Sequence, residues 1–366
     1  MIERLYVHNF RCLENFSLDL SGRGSALIIG KNGAGKSTLR EALGVFQKIC
    51  RRLNRVRDLV SESDFSQART DVPMRFEVDL MLANKLFKYA IAFEWPERFR
   101  EAGVAEESLS VTGNSIFTRQ KENVTLPGGS TFRLDWHVAA LPVITERPGE
   151  EAIKQLNSFF ASMVLIAPIP ANMSGFTEEE SFELHHDASN FSAGMNALLL
   201  RYPASYNLIF DYLKPVIPDL TSFENVPRGE RGKQLMIRFE PEQAKRSLLI
   251  DFKHLSDGEK CFFLSAFVIA SSKVNRTVFC MWDEPDNHLS LPEISHFITH
   301  LRRLANQKGQ FLATSHHPET IRRFSDENTL VFLRKSHLEP TIVRTLEDIE
   351  YKGDLIEALI RDEVFE

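Results

Sequence analysis

The sequence predicts an α/β fold, a nucleotide-binding core with an antiparallel β meander attached, and three observations carry that prediction. A short apolar run, Ala26–Ile29, breaks at Gly30 into a glycine-rich loop and continues as a periodic segment, Leu39–Phe46, so that strand, loop and helix follow in succession. Period-two runs separated by turn residues fill Met74–Arg119. Beyond Leu255, apolar runs of strand length alternate with segments of helical spacing.

The loop carries the most specific chemistry. Gly30, Gly35, Lys36 and Ser37 satisfy G-x-x-x-x-G-K-[ST], and Gly30, Lys31, Asn32, Gly33, Ala34, Gly35, Lys36, Ser37 and Thr38 together make the candidate phosphate cradle. Glycines let backbone N–H groups curl around a phosphate, and the following helix contributes its partial positive charge. Lys36 would reach the β- and γ-phosphates and Ser37 would ligate Mg²⁺, so the chain is expected to bind a nucleoside triphosphate.

Composition narrows the setting. The chain has 366 residues, 43% of them hydrophobic and 26% charged, which is ordinary for a globular protein. Its net charge of −6 supplies no global attraction to nucleic acid or acidic membranes. No apolar run approaches the roughly 20 residues that span a bilayer, and Met1-Ile-Glu-Arg-Leu5 lacks a signal-peptide pattern. Cys12, Cys50, Cys261 and Cys280 are far apart and mostly lie in apolar runs, as buried thiols of a reducing compartment do. The expectation is a cytoplasmic protein without membrane contact.

In chain order, Met1–Leu20 reads as two strands turning near Asn9–Leu13, and Ser21–Gly24 as the turn into the P-loop strand. Lys48–Arg57 reads as about three basic helical turns. It is either a solvated face or, through Arg51, Arg52 and Arg55, a nucleic-acid patch. Arg75–Leu80 and Phe87–Phe93 pair across a turn at residues 83–85; a second hairpin turns at Gly113-Asn114, and Gly128-Gly129 marks another turn. Glu150–Ala161 is a helix and Met163–Ala167 a buried strand, followed by an exposed polar loop, Thr177–Asp187. His185-His186-Asp187 has no matching ligand set elsewhere and reads as part of that loop rather than a metal site. Asn196–Leu213 has helical spacing around Pro203, Pro215 and Pro218 interrupt the chain after it, and Gln234–Glu240 and Ser247–Lys253 are strand-like.

The last third holds the remaining chemistry. Ser256-Asp-Gly-Glu259 is a capping box heading the apolar run Cys261–Ala270, and a capped helix start with a glycine can also receive an anion. Arg276–Trp282 is a buried strand ending in Asp283-Glu284, where a Walker B carboxylate holds Mg²⁺ and the next carboxylate can orient or deprotonate the attacking water. Leu291–Ala305 reads as a helix, and Gln310–Ala313 as a strand entering Thr314-Ser-His-His-Pro318. Thr329–Arg334 and Thr341–Leu346 are strands, and Asp354–Arg361 a terminal helix.

Taken in order, the P-loop, Leu255-Ser-Asp-Gly-Glu259, Asp283-Glu-Pro-Asp-Asn-His-Leu289 and Ser315-His316 resemble an ABC-type ATPase of the SMC/RecF/OLD-like branch. Val7-His-Asn-Phe-Arg11 is similar to that branch's opening strand, and Asp187–Pro218 to its helical lobe. About 220 residues separate Lys36 from Ser256, more than a loop spans.

The resemblance implies an ATPase head with a mixed sheet, a meander and a helical lobe, divided as 1–160, 161–250 and 251–366. It implies ATP and Mg²⁺ as cofactors, with Ser37 and Asp283 as metal ligands, Glu284 as the catalytic carboxylate and His316 as the γ-phosphate sensor. His317 takes that role if the register shifts by one. Ser256 and Gly258, with Glu259 beside them, would touch the γ-phosphate of a second copy. Asp286 would align the two protomers, and Arg11 would touch nucleotide. Gln155 and Gln67 are the candidates for the glutamine that couples lobe and site. Ser290 stands where His-Pro often follows, with little expected consequence.

OLD-family nucleases carry a TOPRIM domain after the ATPase. Only about 50 residues follow His316 here, too few for one, and they hold no D-x-D pair. The expectation is an ATP-gated homodimeric switch acting on a separate effector, a nuclease or toxin, in anti-phage defence. The alternatives are a RecF/SMC-type DNA-binding ATPase, with DNA or RNA as ligand, and a scaffold that binds ATP without turning it over.

Overall fold

β1 (Ile2–His8) and β2 (Phe16–Asp19) pair antiparallel with Leu5 opposite Leu18, and burial of Leu5, Val7, Phe16 and Leu18 follows the alternation read in the sequence. The computed structural model describes residues 1–96, 99–145, 151–240, 246–274, 278–305 and 309–365. By contacts the chain divides into two units, Met1–Met163 with Asp326–Glu366, and Val164–Ser325.

In the first unit, β3 (Ser25–Gly30) is buried along its whole length and leads through the glycine loop into α1 (Lys36–Cys50). The basic stretch after α1 is not the continuous helix its composition suggested. Arg52 turns left-handed at φ 68° and Arg55 forms a bridge with Val138. Only a single turn, α2 (Val56–Leu59), follows. The Arg51 guanidinium donates to Ala161 O at 3.0 and 3.1 Å, so these arginines do not share one helical face.

The meander comprises β4 (Met74–Leu82), β5 (Lys85–Glu94), β6 (Gly103–Val111), β7 (Asn114–Gln120), β8 (Asn123–Thr125) and β9 (Thr131–Arg133). With β2 and β1 it forms an eight-stranded antiparallel sheet in the order β2-β1-β4-β5-β6-β7-β8-β9. The β4–β5 turn places Ala83 and Asn84 at φ 47° and 59°, the left-handed pair whose twist matches a tight hairpin. α3 (Ala152–Ala161) closes the segment by burying Ile153, Leu156, Phe159 and Phe160, the last stacked on Phe46 of α1 at 5.2 Å.

The second unit begins with β10 (Val164–Ile166) and β11 (Phe176–Thr177). The helical run around Pro203 is two helices, α4 (Phe191–Arg201) and α5 (Ser205–Leu213), because proline lacks the N–H that would continue the first. β12 (Leu220–Arg228), β13 (Gly232–Phe239) and β14 (Leu248–Asp251) form an antiparallel sheet with β11. α6 (Asp257–Val274) is buried all round between Lys260 and Ala270. β15 (Phe279–Asp283) is flanked by β10 and β16 (Gln310–Thr314), both parallel to it. Arg276 and Thr277, expected to open that strand, lie outside the described residues. α7 (Leu291–Ala305) and α8 (Pro318–Arg322) complete the unit.

The chain then returns to the first unit as β17 (Thr329–Leu333), parallel to β3, β18 (Ile342–Thr345), antiparallel to β17, and α9 (Leu355–Ile360). Among the described residues no helix is long and apolar enough to cross a membrane. All four cysteines are buried free thiols, and burial pushes Cys261 up to about 12 and Cys50 and Cys280 upward as well.

Candidate functional site

The P-loop is fixed in shape by what surrounds it. Gly35 starts α1 at φ 96° with no side-chain cap, and the first turn has no acidic residue to compete for the helix N–H groups. A Cβ at Gly35 would lie 2.8 Å from Thr341 Oγ1 and 2.9 Å from Cys12 Sγ, and one at Gly30 would lie 2.6 Å from Phe332 O. Only glycine fits at either position. Lys36 is buried, and its ammonium donates to Gly30 O at 2.7 Å and Lys31 O at 3.3 Å, inside the loop's own curl.

Three side chains distant in sequence fasten the loop from outside. Thr341 Oγ1 donates to Ala34 O at 2.9 Å, Arg334 Nη1 donates to Gly33 O at 2.9 Å, and Lys31 pairs with Asp362 at 3.0 Å. Cys12 Sγ lies 3.6 Å from Thr38 Oγ1. None of these contacts carries a motif, and the separation of about 300 residues hides them from local reading.

Arg11 lies in the same unit, but its guanidinium is already engaged. Nε donates to Asp64 Oδ1 at 2.9 Å and Nη1 pairs with Glu41 of α1, so contact with a nucleotide would use the remaining N–H groups or displace a carboxylate. Burial opposes the charge of Asp64, yet hydrogen bonds from Ser61 and the Arg11 guanidinium hold its carboxyl below the ordinary range. Gln67, one candidate for the coupling glutamine, donates to Leu338 O at 2.7 Å in this unit. The other, Gln155, sits on α3.

The second unit assembles the acidic turn, the histidine turn and the capped helix. Asp283, at the end of β15, accepts the Thr314 hydroxyl, and the Glu284 N–H donates to Thr314 Oγ1 at 3.0 Å and Thr314 O at 3.2 Å. Glu284 stands at φ 52°, which turns its side chain out of the strand's alternation. Its Oε1 lies 3.9 Å from His316 Nε2, and its Oε2 accepts from Asn287 Nδ2 at 2.7 Å. His317, the alternative histidine, instead caps α8, accepting the Glu319 N–H at Nδ1 (3.2 Å).

Asp286, which the resemblance makes the residue that aligns two protomers, is 5% exposed, and its Oδ2 accepts the hydroxyls of Ser315 and Thr320. Its carboxylate is committed inside its own unit. Thr314, Ser315, Thr320 and Asn287 carried no role of their own in the sequence reading, although Ser315 and Asn287 lie inside the motifs that carry the resemblance.

The capping box forms: the Ser256 N–H and hydroxyl donate to Glu259 Oε2 at 2.8 and 2.7 Å, and the Glu259 N–H returns to Ser256 Oγ at 3.3 Å. Gly258 has a packing reason as well, since a Cβ there would lie 2.9 Å from His288 O. His288 also faces Asp257 at 3.6 Å, so the acidic turn rests on the start of α6. His185 and Asp187 bond to residues just outside their loop, Ser189, Asn190 and Asn172. Among the described residues no cluster of three His, Cys, Asp or Glu side chains could hold a metal.

A glycine cradle on a strand–helix junction, an acidic turn closing a buried parallel strand and a histidine turn on its neighbour define an ABC-type ATPase head of mixed α/β fold. The chain belongs to the RecF/RecN/SMC N terminal domain family, which residues 1–339 match. It is similar in fold to the SMC head bound to the C-winged helix domain of ScpA, with TM-score 0.55 and 15% identity over 94% of this chain and 98% of that one. It is also similar to an Smc head domain with an extended coiled coil bound to the C-terminal domain of ScpA, derived from Pyrococcus furiosus. There the TM-score is 0.51 and the identity 14%, over 94% and 96% of the two chains. A search of curated proteins found no match. Membership implies ATP binding and hydrolysis.

Proposed function

We propose that the chain is an ATP-hydrolysing switch in which two copies share each triphosphate. The P-loop of one copy would hold the phosphates, and Ser256 and Gly258 at the start of α6 in the other would close over the γ-phosphate. Two observations, one in each unit, support this reading: an uncapped, acid-free helix start at Gly35 in the first, and a Glu284–His316 pair 3.9 Å apart in the second. The first is an anion cradle; the second can hold and move the proton of an attacking water.

The Ser37 hydroxyl and the Asp283 carboxylate, hard oxygen donors of the kind Mg²⁺ takes, are the groups that would hold the ion. It would supply charge neutralisation for the phosphates. Lys36 would exchange its loop carbonyls for phosphate oxygens, Glu284 would orient the water, and His316 would report the γ-phosphate to that carboxylate. Ser256 would trade Glu259 for the partner copy's phosphate.

Closure and opening would act on a separate effector, a nuclease or toxin, in the manner of OLD-like ATPases of anti-phage defence. The two solved heads, each bound to a ScpA domain, support a docked partner protein. A DNA-binding role of the RecF/SMC kind is the second reading, favoured by the family match. The net charge of −6 and the dispersed arginines after α1 weigh against it. Affinity for duplex DNA that rises with ATP and falls steeply with salt would select it.

Two variants test the composite site. Lys36→Ala is expected to weaken nucleotide affinity about 10–100-fold, the value of a charge-assisted bond, measured by calorimetry. Unchanged affinity would remove the cradle assignment. Ser256→Arg should bind ATP as the wild type does and lose hydrolysis by more than about tenfold, because a second copy can no longer approach. Equal turnover in both proteins would leave no role for a second copy.

A further inference from the structure

The Glu284–His316 geometry depends on two cross-links between the turn after β15 and the turn after β16. One is Thr314, which bonds Asp283 and the Glu284 N–H. The other is Asp286. Its Oδ2 accepts from Ser315 Oγ and from Thr320 Oγ1, and Ser315 Oγ in turn accepts the His317 N–H at 2.8 Å. The residues on both sides of His316 are therefore held, Ser315 by its side chain and His317 by its backbone, and Thr320 ties in α8 beyond them. Ser315 and Thr320 are fully buried.

A buried carboxylate is costly unless its oxygens are satisfied, and a neutral side chain would fill the same space without that cost. What the carboxylate supplies is a strong acceptor that fixes two hydroxyls at once. We propose that Asp286 is a positioning residue for hydrolysis: through Ser315 and Thr320 it holds the His316 ring against Glu284. This deepens the hydrolytic reading above and rests on it.

The test is steady-state ATP turnover, taken well below the melting temperature and expressed per folded molecule. Asp286→Ala is expected to lower kcat about 10–100-fold with KM for ATP within about twofold, since displacement of about 1 Å in a catalytic group costs that much. Asp286→Asn keeps a carbonyl oxygen that can accept both hydroxyls and should recover kcat to within about threefold of wild type. In a double-mutant cycle, Asp286→Ala in a His316→Ala background should cost nothing further, a result that a purely structural role would not give.

Wild-type kcat in folded Asp286→Ala, or losses that multiply in the cycle, would overturn the proposal. If Asp286→Ala does not fold, Ser315→Ala and Thr320→Val each remove one donor, and each should lose kcat about 3–10-fold without adding to His316→Ala. Wild-type kcat in both would overturn it equally. If the wild type itself turns over no ATP, the hydrolytic reading fails and the placement is read directly. The NMR signal of the His316 ring, assigned by its loss in His316→Ala, should shift in Asp286→Ala or in Ser315→Ala and return in Asp286→Asn. An unmoved signal would refute the positioning role on its own.

Discussion

Glu284→Gln is expected to bind MgATP as the wild type does and to hydrolyse it about 10²–10⁴-fold more slowly, the range a positioned general base contributes. The amide is isosteric and can still face His316 across the 3.9 Å gap, so the fold has no reason to respond. What it cannot do is accept the proton of water as phosphoryl transfer proceeds. Single-turnover hydrolysis with the variant in excess separates chemistry from product release. Sedimentation of the same sample should show an ATP-dependent dimer that the wild type forms only transiently. Ordinary turnover would take Glu284 out of the reaction, and slow turnover without an ATP-dependent dimer would keep Glu284 as the catalytic carboxylate but remove the shared site.

The parts of this site that could be read from sequence are those whose chemistry is local. The P-loop combines a strand, three glycines, a lysine and a helix start within about a dozen residues, and β3 and α1 form there as read. The capping box at Ser256 and the helix Leu291–Ala305 were likewise legible, because cap and periodicity act over one or two turns. β12 was missed because the reading stopped at Pro215 and Pro218, just before it. Pro227 lies near the end of the strand, opposite Lys233. The basic stretch after α1 failed for the opposite reason: composition favoured a helix, whereas Arg55 is drawn into a bridge with Val138. Asp286 shows the limit most clearly. The resemblance made it the residue that aligns two protomers, and the hydroxyls it accepts within its own unit, 29 and 34 residues downstream, are beyond local reading.

The largest loss of stability is expected at a position with no part in the nucleotide chemistry. In the first unit Glu107 and Arg119 face each other at 3.5 Å with both side chains wholly buried. Glu107 accepts from Tyr89 Oη at 2.9 Å and from the N–H groups of Ala140 and Leu141 at 2.6 and 2.9 Å. Arg119 donates to the carbonyls of Lys121, Val138 and Asp135. Together they fasten residues 135–141 onto the meander, where Trp136 packs so closely on Gly103 that a Cβ there would lie 2.5 Å from its ring. Burial pushes the Glu107 carboxyl up and the Arg119 guanidinium down from their ordinary values, a measure of how hostile the site is to a lone charge. Glu107→Ala strands the guanidinium without its counter-charge and two backbone N–H groups without an acceptor, which costs about 3–5 kcal/mol. Replacing both partners, as in Glu107→Leu with Arg119→Met, removes the orphaned charge and should restore the part of the loss due to it, while the N–H groups of residues 140 and 141 still lack their acceptor and the carbonyls of residues 121, 135 and 138 lose their donor. Urea unfolding of the two variants and the wild type decides the matter. A single variant within about 1 kcal/mol of wild type, or a double variant no better than the single, would mean that packing rather than the ion pair secures this segment.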